Sequence, residues 1–178
     1  MYRTLLAIRR LADLDTRIFL GINAVHDRLR LRRLSRTVSW SGDGYCYAVM
    51  ALILPGIMAS GERWLIAGLL GFLIELPIYW LLKNAFRRRR PFAVVKALQP
   101  MLKPSDEFSF PSGHTTAAFM VAYITTFHFP VLGIPMYAWA SAIGLSRVAL
   151  KVHFVSDIVA GMIIGTGIGA FSLWLIEL

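Results

Sequence analysis

Apolar residues in this chain are gathered into long runs, and short polar or basic segments separate the runs. Such runs predict helices that cross a membrane, because a span needs about 20 predominantly apolar residues. The predicted spans cover residues 45–60, 63–82, 112–127, 131–150 and 157–176. The first is short and contains Pro55. The pattern therefore predicts an all-α integral membrane helical bundle of about five transmembrane helices.

The first 26 residues follow a different pattern, in which apolar and charged positions recur with helical spacing. One face carries Leu11, Leu14, Ile18 and Ile22. This predicts an N-terminal amphipathic interfacial helix, although a helix packed on the rest of the protein fits the pattern equally well. A turn follows at residues 41–44, where Asp43 is a candidate cap for the next helix. We expect one domain, with an amphipathic and basic segment over residues 1–44 and a transmembrane catalytic bundle over residues 45–178.

Composition supports the membrane assignment and narrows the choice of partners. Hydrophobic residues make up 57% of the 178 residues and charged residues only 16%, which is too apolar for a soluble domain of this size. The net charge is +9, but the basic residues cluster at the edges of the predicted spans. We therefore expect membrane lipids and a phosphorylated lipid as partners, and no nucleic acid. Cys46 is the only cysteine, so no disulfide forms within the chain.

Two features inside the predicted spans are unusual. A carboxylate within a span is costly, so Glu75 needs a partner or a proton. A structural role, such as pairing across helices, is favoured over a direct catalytic role. Gly161, Gly165 and Gly169 form a ridge of small residues that allows another helix to approach closely. We interpret this ridge as packing within the bundle, with a homodimer contact as the alternative.

The ends of the predicted spans place the chain's unusual polar residues on one side of the membrane. The second span ends at Lys83, the third begins at Ser112, the fourth ends near Arg147 and the fifth begins near Asp157. If all four segments cross the bilayer, these ends share one face. Topology alone therefore predicts a polar cluster at one mouth of the bundle.

The first polar cluster follows the second span. Lys83 and Arg90 are seven residues apart, about two helical turns, so both side chains can point the same way. Pro91 is then expected to end the helix. The arginines at residues 87–89 between them also fit an ordinary stop-transfer signal.

The second polar cluster precedes the third span and reads Phe-Pro-Ser-Gly-His. Ser112 and Gly113 are expected at the helix start, where free backbone N–H groups and the positive end of the dipole bind anions. Gly113 would let an oxyanion approach the backbone closely. His114 lies beside them and can donate a proton. Considered alone, the cluster fits a plain helix cap with an incidental histidine.

The third polar cluster covers residues 146–157 and reads SRVALKVHFVSD. His153 and Asp157 are four residues apart and would share one helical face, so the carboxylate can hold one imidazole nitrogen and leave the other free to attack. Arg147 supplies a planar donor fork that suits a phosphate. Considered alone, a histidine and an aspartate at this spacing are more often a structural pair.

Together the three clusters offer two histidines, one carboxylate, three cations and a helix start. That set suits phosphoryl transfer, in which cations and amides neutralise the phosphoryl oxygens while one group attacks and another protonates the leaving oxygen. Metal binding fits less well, because three cations would crowd a metal ion. We therefore expect no metal and no cofactor.

The three motifs have the order and separations of a known family. They read K-x6-R-P at residues 83–91, P-S-G-H at residues 111–114 and S-R-x5-H-x3-D at residues 146–157. The chain thus resembles the type 2 phosphatidic acid phosphatase family, in the lipid phosphatase and vanadium haloperoxidase superfamily. The resemblance covers about the last hundred residues. Larger members have six crossings, so it gives no role to residues before about 45.

The resemblance implies a metal-independent phosphatase with defined site residues. His153 would be the nucleophile that forms a phosphohistidine, Asp157 would orient it, and His114 would be the general acid for the leaving group. The residues implied to bind phosphate are Lys83, Arg90, Ser112, Gly113 and Arg147.

Family members of this kind act on phosphatidic acid, phosphatidylglycerophosphate, lipid A phosphates and undecaprenyl diphosphate. Arg87, Arg88 and Arg89 are placed to hold a second phosphate, which favours undecaprenyl diphosphate, with the other lipids as alternatives. Two rival classes are a haloperoxidase-like enzyme that uses vanadate and a non-catalytic lipid-binding membrane protein. A haloperoxidase-like enzyme is disfavoured because its reaction does not need a site embedded in lipid. A non-catalytic lipid-binding protein is disfavoured because it does not need both histidines and Asp157.

The location of the site involves a conflict between two signals. The resemblance implies a multi-pass protein of the bacterial inner membrane whose site faces the periplasm. However, the N-terminal segment and the three motifs share a face that holds 18 of the 19 lysines and arginines. The positive-inside rule assigns such a face to the cytoplasm. We expect the periplasmic side, on the strength of the resemblance.

Overall fold

The computed structural model describes residues 2–95, 98–104 and 106–178, with side chains from residue 10 onward. Helices form all the regular secondary structure in this part of the chain, which confirms the predicted all-α class. They are α1 (Tyr2–Arg28), α2 (Arg32–Ser41), α3 (Gly44–Ile57), α4 (Gly61–Phe86), α5 (Pro91–Val94), α6 (Gly113–His128), a short 3₁₀ helix (Pro130–Leu132), α7 (Gly133–Ala149) and α8 (Val155–Glu177). The five predicted spans correspond to α3, α4, α6, α7 and α8, with ends that differ by a few residues.

The centre of the bundle is α6, which α8 approaches through its glycine ridge. A Cβ atom added at Gly165 would lie 2.1 Å from the carbonyl oxygen of Thr116. One added at Gly161 would lie 2.9 Å from the carbonyl oxygen of Ser112. The ridge therefore packs within the chain, because only glycine lets the two backbones come this close.

Length and composition are consistent with helices that cross a bilayer. Three stretches of the described residues are long and apolar enough to do so, namely Gly61–Val94, Pro130–Ala149 and Val155–Glu177, while the apolar α3 is shorter. Leu69, Leu73 and Leu76 on the outside of α4 are 61% to 70% exposed, as expected for a lipid-facing surface. The integral membrane class is confirmed, and the number of crossings stays a prediction.

The first helix packs on α7 and α8 through a face that differs from the apolar stripe predicted from the sequence. This face buries Asp15, Phe19, Asn23 and His26. Phe19 meets the ring of Phe154 edge-on, with 5.5 Å between the centroids. The predicted apolar stripe lies outside, where Leu11, Leu14 and Ile18 are 43% to 66% exposed. The interpretation of α1 as a helix packed on the protein is therefore confirmed, and the interfacial position of its exposed apolar stripe stays a prediction.

The second helix lies against α7 and closes one side of the bundle's mouth. Ser39 accepts a hydrogen bond of 2.6 Å from Arg147, and Ser41 accepts one of 2.9 Å from the indole of Trp139. At the same mouth α4 ends, α6 and α8 begin, and α7 ends. The N-terminal segment thus forms part of the wall around the predicted polar cluster.

Candidate active site

Lys83 and Arg90 converge on one carboxylate, although not in the way that helical spacing predicted. The helix α4 ends before Arg87, which has a left-handed backbone (φ 46°), and Arg90 is the residue directly before α5. Pro91 therefore begins a helix, and the expectation that it ends one was wrong. Both cations are buried, with Lys83 Nζ 2.9 Å and Arg90 Nη2 2.5 Å from Oδ1 of Asp106.

Asp106 is a functional candidate that the sequence analysis missed. Its Oδ2 accepts a hydrogen bond of 2.5 Å from the hydroxyl of Tyr79. Burial alone would raise its pKa, but hydrogen bonds from Tyr79 and Lys83, with the charges of both cations, lower the pKa of Asp106 to about 2. The carboxylate therefore stays ionised at neutral pH. In the sequence it is an acidic loop residue eight positions before His114, with nothing to mark it.

His153 and Asp157 lie together, but not on one helical turn. His153 is in the loop before α8, and Asp157 is in the first turn of that helix. Oδ2 of Asp157 accepts the backbone N–H of Phe154 at 2.8 Å and lies 3.6 Å from Nδ1 of His153. That separation is longer than a hydrogen bond. Among the described residues, Nδ1 accordingly has no hydrogen-bond partner.

The other ring nitrogen of His153 faces the cations. Its Nε2 lies 3.5 Å from Nη1 of Arg90, which donates to the carbonyl oxygen of Val152 at 2.8 Å. Burial is the main reason that the pKa of His153 falls to about 4, two nearby arginine charges add to this effect, and the carboxylate of Asp157 opposes it. The imidazole is therefore neutral at pH 7, which is the form that can attack an electrophile.

The low pKa of His153 gives an expected pH dependence. Only the neutral ring attacks, and the ring gains its proton as the pH falls through its pKa. We therefore expect the acidic limb of kcat/KM near pH 4 and not near the ordinary histidine value of about 6.5. Steady-state rates measured from neutral pH to about pH 3, with the substrate's own titration followed by ³¹P NMR, locate the limb. An acidic limb at the ordinary histidine value would contradict the prediction.

Ser112 precedes the first turn of α6 as predicted, but the protein itself uses its N–H. That group donates to the carbonyl oxygen of Asp157 at 3.2 Å. In the described chain, the amides of Gly113 and His114 have no backbone acceptor, so the anion-binding part of the helix start begins one residue later than expected. Gly113 also has a packing role, because a Cβ atom there would lie 2.7 Å from the ring of Tyr79.

His114 is paired with a residue from outside the three motifs. Its Nε2 lies 2.7 Å from Oδ1 of Asp43. Asp43 occupies the cap position of α3, yet its side chain makes no cap hydrogen bond and contacts the histidine instead. The contact fixes the orientation of the ring and decides which nitrogen faces the rest of the site.

Arg147 forms the inner wall of a polar cavity of about 410 Å³ that His114 and Asp43 also line. The arginine is 5% exposed, and its Nη1 donates to Ser39 at 2.6 Å. Its Nε is buried and has no acceptor in the part of the chain that the structure describes. The outer wall includes Arg36, Trp40, Leu102 and Lys103. In the described residues, cations therefore dominate the charged lining of this cavity.

A second hollow, of about 250 Å³, lies between α3 and α4 and also borders His114. Most of its lining is apolar and includes Tyr47, Phe72 and Leu76. Because Leu76 is 61% exposed on the outer surface of α4, this hollow opens toward lipid. Glu75 is buried in the same wall, and no ion pair of Glu75 occurs among the described residues. Its structural role therefore stays a prediction.

Arg88 is not free to hold a second phosphate as the sequence analysis expected. It donates to Oδ2 of Asp15 and to Oδ1 of Asp157, each at 2.7 Å. Arg87 is exposed and donates to the carbonyl oxygen of Asn84. The ion pairs instead tie α1 to the start of α8 and support the carboxylate beside His153.

The structure thus brings the predicted site residues to one end of the bundle. Lys83, Arg90, His153 and Asp157 form one buried cluster, with Asp106 added to it. A polar cavity beside this cluster contains His114 and Arg147. Ser112 connects the starts of α6 and α8. The roles of these residues stay predictions, and the geometry is compatible with phosphoryl transfer.

Comparisons with known proteins add independent information. A sequence model described as the PAP2 superfamily matches residues 45–177. The decaprenylphosphoryl-5-phosphoribose phosphatase of Mycobacterium tuberculosis is 32% identical over 155 residues, which are 83% of this chain and 82% of that protein. The undecaprenyl-diphosphatase BcrC of Bacillus subtilis is 27% identical over 125 residues, 70% of this chain and 64% of that one. The crystal structure of Aquifex aeolicus LpxE superimposes with a TM-score of 0.80 at 26% identity, covering 89% of this chain and 93% of that one.

Proposed function

The chain belongs to the PAP2 superfamily and is a membrane phosphatase, and from this premise we propose that it removes a phosphate from a lipid phosphate or diphosphate through a phosphohistidine on His153. The observation that carries the proposal is the buried, neutral imidazole of His153, whose Nε2 lies 3.5 Å from the guanidinium of Arg90. Undecaprenyl (polyprenyl) diphosphate is the favoured substrate. We expect the reaction to need no metal ion.

In the first half of the proposed reaction, Nε2 of His153 attacks the terminal phosphorus atom. A nitrogen–phosphorus bond forms while the bond to the leaving oxygen breaks. Lys83 and Arg90 bind the phosphoryl oxygens and neutralise the charge that develops on them. His114 donates its proton to the leaving oxygen, so the lipid product departs protonated at that position.

In the second half, water attacks the phosphohistidine. His114, now neutral, accepts a proton from the water, the nitrogen–phosphorus bond breaks, and inorganic phosphate leaves. Asp157 stabilises the positive charge on the ring of His153 in the intermediate and is itself held by Arg88 and by the N–H of Phe154. The histidine is then regenerated in its neutral form.

Asp106 gives a testable consequence of this phosphate site. A phosphate must compete with its carboxylate for the N–H groups of Lys83 and Arg90. We expect Asp106→Asn to strengthen inhibition by inorganic phosphate about tenfold, because a neutral amide competes less well for the two cations. We also expect a lower melting temperature that added phosphate restores, since two buried cations lose their partner. Inhibition kinetics and thermal unfolding in detergent measure the two effects.

The matched control is Glu107→Gln, because Glu107 is the neighbouring residue and is exposed. Phosphate should inhibit this variant as strongly as it inhibits the parent protein, and the two melting temperatures should be equal. If Asp106→Asn instead left phosphate inhibition unchanged or weakened it, the carboxylate would orient the cations and would not compete with the ligand.

The two spaces beside His114 support a lipid with a charged headgroup. The apolar hollow between α3 and α4 opens toward lipid and suits the hydrocarbon chain, while the polar cavity suits the headgroup. Two of the relatives are named for polyprenyl substrates, one a diphosphate and one a phosphoribose lipid. Phosphatidylglycerophosphate, phosphatidic acid and lipid A phosphates are the alternatives.

A substrate panel tests the proposal. Phosphate release is measured from undecaprenyl diphosphate, phosphatidic acid, phosphatidylglycerophosphate and lipid A, with and without a chelator. We expect the diphosphate to give the highest kcat/KM and the chelator to have no effect. Equal or faster release from the monoesters would remove the substrate preference. Absence of release from every lipid would favour a non-catalytic lipid-binding protein.

We propose that the protein lies in a bacterial inner membrane with this mouth facing the periplasm. After replacement of Cys46, single cysteines at Glu107, at the mouth, and at Ala59, at the opposite end, are exposed to an impermeant thiol reagent in intact cells. Both positions are exposed on the protein surface. We expect labelling at Glu107 only. Labelling at Ala59 only would reverse the orientation.

A further inference from the structure

We propose that the polar cavity beside His114 binds the phosphate that stays on the lipid after hydrolysis, and that Arg36 and Lys103 determine the preference for such substrates. This inference rests on the proposed function. Neither residue belongs to the three motifs. Arg36 precedes residue 45, where the match to the family begins.

The charge of the cavity favours an anion. Arg36, Lys103 and Arg147 all line it, whereas its one acidic lining residue in the described chain is Asp43. That carboxylate is already bound to His114, with 2.7 Å between Oδ1 and Nε2. The cations therefore outnumber the carboxylate in a concave space, which concentrates positive potential there.

Arg147, which the resemblance implies to bind the transferred phosphate, also lines this cavity. The side chain is 5% exposed, and Ser39 accepts a hydrogen bond from its Nη1. Its buried Nε has no acceptor among the described residues. A buried donor without an acceptor is costly, so the guanidinium of Arg147 favours an anion beside it in the cavity that it lines. A phosphate oxygen is an acceptor that suits a guanidinium fork.

A hydrogen bond holds the side chain of Arg36 at the rim of the cavity. Its Nη2 donates to the carbonyl oxygen of Met101 at 2.7 Å, which ties α2 to residues 98–104. One of its five N–H donors is thereby used, which leaves the planar fork available for an anion. Lys103 lies in the segment that this bond fixes, so both cations are kept on the same wall.

The chemistry of a diphosphate directs its inner phosphate to this cavity. The terminal phosphorus atom is attacked at His153, and the bridging oxygen leaves together with the inner phosphate. Because His114 protonates that oxygen and also lines the cavity, the inner phosphate arrives beside Arg147. A simple monoester such as phosphatidic acid carries no second charge there. Arg36 and Lys103 thus supply cations for the second phosphate in place of Arg88, which carboxylates already engage.

The test compares two substrates in one set of variants. We expect the double variant Arg36→Ala, Lys103→Ala to lower kcat/KM for undecaprenyl diphosphate about 10- to 100-fold and to change kcat/KM for phosphatidic acid less than about threefold. Arg36→Lys should retain part of the preference, since it keeps the charge but loses the fork. Arg33→Ala is the matched control, because Arg33 is an exposed cation of α2 outside the cavity lining.

Equal losses on both substrates, or no loss on either, would overturn the inference and leave the proposed function intact. A parent protein without phosphatase activity would overturn both. A second measurement needs no variant. Methylenediphosphonate should inhibit phosphatidic acid hydrolysis by the parent protein at least about tenfold better than methylphosphonate, because it can fill both phosphate positions. Equal inhibition by the two phosphonates would also overturn the inference.

Discussion

Replacing His153 with alanine is expected to lower kcat by about 10⁴-fold or more, because the proposed intermediate cannot form without the attacking imidazole. The side chain of His153 is 2% exposed and lies between Arg90 and Asp157. No other imidazole of the described residues lies between these two side chains. Phosphate release from the favoured lipid measures the rate. Because a phosphohistidine is hydrolysed in acid but is stable in alkali, reactions with ³²P-labelled substrate are quenched in an alkaline denaturant. They should leave label on the parent protein and none on the variant.

His128→Ala is the matched control for this prediction. His128 lies in the last turn of α6, at the end of the bundle away from the site. Among the described residues, its Nε2 is buried without a partner, as is Nδ1 of His153. The control variant should keep its activity within about threefold, as is usual for a change away from the reacting groups. Full activity of His153→Ala would mean that another residue is the nucleophile.

The second large effect is expected on stability, from Gly165→Ala in α8. The added Cβ atom would lie 2.1 Å from the carbonyl oxygen of Thr116, and a backbone oxygen can move only if its helix moves. We expect a loss of about 2–3 kcal/mol in the free energy of unfolding, as is typical of overpacked interiors. Activity should fall as well, because α6 and α8 carry His114 and Asp157. Thermal unfolding in detergent measures the loss.

Gly167→Ala provides the control in the same helix. A Cβ atom at Gly167 has no heavy atom within 4 Å, so the substitution should leave packing unchanged and slightly favour the helix. Equal melting temperatures for the two variants would show that α6 and α8 are not in close contact at Gly165.

The sequence was a good guide to the helices and to the grouping of the motifs. Apolar runs predicted the helices because a bilayer excludes unpaired backbone groups. The alternation of spans then placed Lys83, Ser112, Arg147 and Asp157 at one mouth, and the described structure agrees. Their placement at one mouth depends only on chain direction and segment length, and not on side-chain contacts.

The sequence was a poor guide wherever local geometry departed from a regular helix. Lys83 and Arg90 were assigned to one helix, but Arg87 is left-handed, which is rare for a residue other than glycine and has no marker in the sequence. His153 was placed on the turn of Asp157, yet it lies in the preceding loop. In both cases the residues meet through a loop and not through helical periodicity.

Contacts between distant segments were also beyond prediction. Asp106 neutralises the motif cations, and Asp43 pairs with His114, yet neither contact follows from a short spacing. Arg88 looked available for phosphate until its partner Asp15, 73 positions away, was known. Such pairs depend on how the loops and the N-terminal helices pack against the bundle. Spacing along a single sequence does not reveal that packing.

The hydrogen bond from the amide of Ser112 to the carbonyl oxygen of Asp157 has an evolutionary consequence. This bond links the starts of α6 and α8. By contrast, α2 and residues 98–104 lie at the outer wall of the polar cavity. Substitutions in those outer segments can change which lipid headgroup binds, while the link between the starts of α6 and α8 is preserved. We therefore expect paralogues with different lipid preferences to diverge first at positions equivalent to Arg36 and Lys103.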